Sequence, residues 1–114
     1  MSYSPTGGYP DLATIRAWIQ VPATLLDDEQ LGMVAGGEQR AQTVLDWGST
    51  PEAPLDIPDD ARNAFLRRVA RSCAAKGIPL GFIPVDNEYG ALRLAKWDYE
   101  VDRLEAPYRV PVVA

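Results

Sequence analysis

The chain has 114 residues, a net charge of -5 and 46% hydrophobic residues. That fits one domain with a modest core, too hydrophobic for global disorder and too acidic to grip nucleic acid, which needs concentrated positive charge. The absence of histidine excludes a Ser/His/Asp triad, a histidine base and a histidine-bearing metal site; the single cysteine, Cys73, excludes an internal disulfide.

Residues 1–10 (MSYSPTGGYP) are rich in Ser, Gly, Pro and Tyr and read as an N-terminal arm. It is either loosely tethered or anchored on a partner through Tyr3 and Tyr9. Residues 11–20 form a short helix, with Leu12, Ile15, Trp18 and Ile19 on one face and Pro22 beyond its end. Asp27 or Asp28 caps a second helix reaching about residue 47, with Leu31, Val34, Ala41, Val44 and Leu45 on its apolar side. Glu38 sits at the edge of that side. Gly36-Gly37 marks either a weak spot or a close approach by another backbone. The connector 49–56 (STPEAPLD) is a proline-bearing loop.

Residues 57–77 (IPDDARNAFLRRVARSCAAKG) form the central helix. Pro58 suits its first turn, Asp59 and Asp60 complement its dipole, and Gly77 with Pro79 stops it. Ala61, Phe65, Leu66, Val69, Ala70 and Cys73 fill one side; Asn63, Arg67, Arg68 and Arg71 share the other. Residues 78–97 change period and read as a β-hairpin or projecting loop around 86–90 (DNEYG). Asp98 caps a last helix over 99–106, with Val101, Leu104 and Tyr108 as its stripe and Pro107 as its stop. Residues 107–114 form an apolar, β-prone C-terminal arm. The expected fold is therefore mainly α: one domain over 1–114, a bundle of about four helices with a projecting hairpin and two extended arms.

No chemistry converges in this pattern. Asp27-Asp28-Glu29 and Asp59-Asp60 stand where helix starts want acids. Asp86-Asn87-Glu88 lacks the alternating oxygens of a calcium loop. Neither Gly7-Gly8 nor Gly36-Gly37 leads into a phosphate loop. No enzyme activity, cofactor or metal is expected. No apolar run reaches membrane-spanning length, so no membrane partner is expected. Two recognition features stand out. Arg67, Arg68 and Arg71 need partners from another helix, another subunit or water, and Glu100, Asp102 and Glu105 are candidate opposites. Glu38 and Arg62 are expected to meet as a semi-buried pair.

The order of elements resembles the head–tail connector (adaptor) proteins of long-tailed bacteriophages. The most specific part is C-terminal: Asp98, then Asp102-Arg103-Leu104, then Ala106-Pro107-Tyr108-Arg109. The resemblance spans residues 11–109 and departs at Gly36-Gly37, where helix formers are usual. It implies a structural virion protein, assembled in the host cytoplasm as a ring, dodecameric like the portal. The ring sits between the portal and a stopper or tail-completion protein, with genomic DNA crossing its bore unread. On that reading Arg67, Arg68, Arg71, Phe82 and Tyr89 make the subunit contact, and Tyr108, Arg109, Val110, Val112 and Val113 reach the portal. The alternatives are another neck part (stopper or tail-completion protein) and a small intracellular protein-binding module.

Overall fold

Each of the first two helices starts where a carboxylate can accept orphan backbone N–H groups. In α1 (Leu12–Ile19), Asp11 accepts from the Thr14 N–H at 2.8 Å. In α2 (Asp28–Ala41), Asp27 accepts from the Gln30 N–H at 2.8 Å while the Gln30 side chain takes the Asp27 N–H, a complete capping box. α3 (Asp59–Ala75) follows Pro58, whose carbonyl accepts the Arg62 N–H at 2.9 Å. α4 (Tyr99–Glu105) passes into a 3-10 turn, Ala106–Tyr108. The computed structural model describes residues 3–75 and 99–110. Among them the protein is mainly α; in place of a sheet there is one isolated antiparallel bridge, Leu45 to Arg109. The expected hairpin over 78–97, with Phe82 and Tyr89, and the arm residues Val112 and Val113 lie outside the described residues.

α3 is the hub. Its buried side carries Ala61, Phe65, Leu66, Val69, Ala70 and Cys73, as the periodicity predicts, and Ala64 besides. Ile15 and Ile19 of α1 and Leu31, Val34 and Ala35 of α2 pack against it in one cluster. Ala64 also meets Val101 and Leu104 of α4 in a small satellite cluster. Burial of the Phe, Leu, Ile and Val side chains among them stabilises by about 1.5–3 kcal/mol each.

Three expectations change. First, the N-terminal segment belongs to the core. Tyr3 is buried, stacks on Phe65 at 5.8 Å between centroids and donates its hydroxyl to the Pro10 carbonyl. Tyr9 meets the same ring edge-on at 5.0 Å. A Cβ on Gly32 or Gly36 would lie 3.8–3.9 Å from the Tyr3 backbone, an ordinary packing contact, so neither position demands glycine. The backbone that comes near Gly36 is the chain's own, and a Cβ on Gly37 would meet nothing within 4 Å. Second, α2 ends at Ala41 and tightens into a 3-10 turn, Gln42–Val44. Helical spacing itself carries Gln42 onto the side of Leu31 and Ala35 and turns Val44 away from it, so Val44 does not belong to the stripe in which it was expected. Val44 is 72% exposed and Gln42 points inward. Third, the C-terminal arm begins later than residue 107. Pro107 cannot continue α4 but fits a 3-10 turn, and Arg109 is then bridged to Leu45.

Candidate functional site

α2, its 3-10 turn, α3 and α4 converge on a buried polar cluster. Glu105, at the end of α4, is 1% exposed. Arg68 of α3 grips it with two parallel bonds, Nε to Oε2 at 2.5 Å and Nη2 to Oε1 at 2.6 Å. Gln42 donates to the same Oε2 at 2.9 Å and to the Ala61 carbonyl at 3.0 Å. Its carbonyl oxygen in turn accepts from the Tyr9 hydroxyl at 3.0 Å. Arg68 Nη1 also lies 3.6 Å from Glu38 Oε1, and Glu38 accepts from the Ser72 hydroxyl. The second face of Glu105 meets Arg109 at 3.6 Å, and Arg109 is held by Asp102 at 2.7 Å.

The electrostatics follow from this wiring. Burial pushes the Glu105 carboxyl up, but the hydrogen bonds from Arg68 and Gln42 and the charges of Arg68 and Arg109 outweigh it. The net effect holds it below the usual carboxylate value of 4.5. The Tyr9 phenol is pushed up to about 12 by burial and by the Glu105 charge. Burial, with the Asp60 and Asp59 carboxylates alongside, also raises Tyr108. Every ionised group in the cluster has an opposite partner. The arrangement clamps the C-terminal signature to the body and offers no unpaired base or nucleophile.

Above the cluster lies a cleft of about 370 Å³ lined by Val44, Leu45, Arg68, Glu105, Arg109 and Val110. Its floor is the ion pair and its rim is apolar. Val44 and Val110 are both exposed there.

The structure redistributes the residues singled out in the sequence. Glu38 does meet an arginine, but it is Arg68 rather than Arg62; Arg62 pairs with Asp59, one turn back on its own helix, at 2.7 Å. Arg62 lies on the solvent side of α3, whereas Arg68 lies over the α2–α4 junction. Arg68, expected at a subunit contact, is instead committed to Glu105 and Glu38 inside the chain. Arg67 and Arg71 are half-buried on α3, and the charge of Arg67 bears on Glu100. Of the expected portal arm, Tyr108 and Arg109 are tied to the body and Val110 is exposed. Gln42 escaped notice, as did the burial of Glu105. A signal existed for both. Gln42 continues the buried run Leu31, Val34, Ala35, Glu38 at helical spacing, and Glu105 falls inside the stripe of Val101, Leu104 and Tyr108.

Among the described residues no group of acidic or thiol ligands could hold a metal ion, and no helix is long and apolar enough to cross a membrane. Comparison of the chain with protein-family models, characterised proteins and solved structures finds no match.

Proposed function

We propose that the chain is a head–tail connector. It would be a structural subunit that stands in a ring of twelve copies under the portal of a long-tailed phage and carries the tail-side neck proteins beneath. The observation that carries the reading is the C-terminal signature, Asp102-Arg103-Leu104 followed by Ala106-Pro107-Tyr108-Arg109. In this chain the signature residues have a joint physical task. Leu104 seats α4 on Ala64, Pro107 turns the chain into the 3-10 turn, and Asp102 holds Arg109. Together with Glu105 they hold the chain on the body as far as Arg109, with Val110 exposed beside the cleft. A firmly held base suits an arm that would find one neighbour in a symmetric assembly.

The charge balance supports the same reading. A net charge of -5 suits a channel that lets DNA pass, since negative walls repel phosphate. The test is direct. The full-length chain is mixed with the portal protein of the same phage, and the mixture is sedimented and imaged. A ring of the chain on one end of the portal is expected. A chain that never co-sediments with the portal, at any ratio, overturns the proposal.

A further inference from the structure

We infer that the solvent face of α2 is a docking surface for a second copy of this chain, joined across a two-fold axis with the two α2 helices antiparallel. This goes beyond the connector reading and stands or falls apart from it.

At 100° per residue, Glu29, Met33, Gly37 and Arg40 fall within a band about 80° wide. That band faces away from the core residues Leu31, Val34 and Ala35. Met33 is 59% exposed in its middle. Leu25, in the turn entering α2, and Val44, in the turn leaving it, are 52% and 72% exposed. Three of the large exposed apolar side chains thus sit along or at the two ends of one helix.

Gly37 is the second observation. A glycine inside a helix costs about 1 kcal/mol relative to alanine. A Cβ on Gly32 or Gly36 would sit in ordinary contact with Tyr3, whereas one on Gly37 would meet nothing within 4 Å and so face open space. A neighbour arriving from outside would use that gap.

The charges select the neighbour. Glu29 lies near one end of the band and Arg40 near the other, both exposed, and neither forms an ion pair among the described residues. An antiparallel two-fold brings Glu29 of each copy to Arg40 of the other, Met33 over Gly37, and Leu25 towards Val44, each contact occurring twice. This is the self-complementarity that an isologous contact requires. A parallel pairing sets like charges against each other. A helix of 14 residues presents a strip only about 21 Å long, so the contact falls in the small, transient size class.

The test is sedimentation equilibrium of the full-length chain from about 10 μM to about 1 mM, with circular dichroism as the check on folding. A reversible monomer–dimer equilibrium is expected. Glu29→Arg and Arg40→Glu should each weaken the dimer roughly tenfold, and the double variant should return to within about threefold of the original. A mere net-charge effect would move the two single variants in opposite directions. Gly37→Leu projects into open space in the monomer, so it should keep the fold and abolish the dimer. A monomer throughout the range, a larger assembly, or single reversals that associate unchanged or are not rescued by the double variant overturns the inference.

Discussion

Glu105 is the side chain on which the polar interior depends. Its two bonds from Arg68 and one from Gln42 join α4 to α3 and to the turn after α2. Replacing Glu105 with Ala would leave Arg68 without its main partner. Loss of one member of a buried pair typically destabilises by about 3–5 kcal/mol. The low end, about 3 kcal/mol, is expected here, because Arg68 is 17% exposed and keeps Glu38 at 3.6 Å. Thermal unfolding of Glu105→Ala beside the parent chain measures this; an unchanged midpoint would contradict the role. The pH dependence has a defined sign. The folded-state carboxyl is held below its ordinary 4.5. Its contribution is therefore complete above pH 4.5 and is lost as pH falls through the depressed value. Glu105→Gln should flatten that acid limb in a stability-against-pH titration.

At one junction between segments only a glycine fits. Gly8 adopts φ +86, and a Cβ there would lie 2.8 Å from the Asp56 Cβ, where the Gly7 carbonyl accepts the Ile57 N–H at 2.7 Å. Gly8→Ala combines a strained dihedral with a backbone-anchored clash and should destabilise by more than about 1 kcal/mol. Gly37→Ala should do the reverse and stabilise the monomer by about 1 kcal/mol, because the helix gains a better former in open space. Chemical denaturation of the two variants side by side checks both signs. A second device at this scale is Arg16. From α1 it donates to the carbonyls of Val21 and Leu26 and pairs with Asp28, closing the loop that joins α1 to α2.

At the scale of the molecule, residues 3–75 and 99–110 form a helical body with the last signature drawn onto α3. Residues 110–114 follow the point where Arg109 closes onto Asp102 and Leu45. Their deletion removes none of the described core residues and should move the thermal midpoint by no more than about 4 °C. Under the connector proposal the same truncation should lose portal docking, read by co-sedimentation. Docking at the parental level would remove the arm from the interface while leaving the fold assignment intact.

Among the described residues, the four α-helices, the Asp27 cap and the buried side of α3 were legible in the sequence, because capping and 3.6-residue periodicity are local and each is written within one turn. That the N-terminal segment would enter the core was not: Tyr3 finds Gly36 and Phe65 only after α2 and α3 have packed. Nor was the choice of partner for Glu38 and Arg68. Several arginines and acids stood at plausible positions, and local spacing ranks them equally. Gln42 and Glu105 are 63 residues apart, and their bond exists only because α2, α3 and α4 meet at one corner. Periodicity reports which side of a helix turns inward; which buried charge answers which is decided by the crossing of helices, where desolvation makes one geometry far better than the rest.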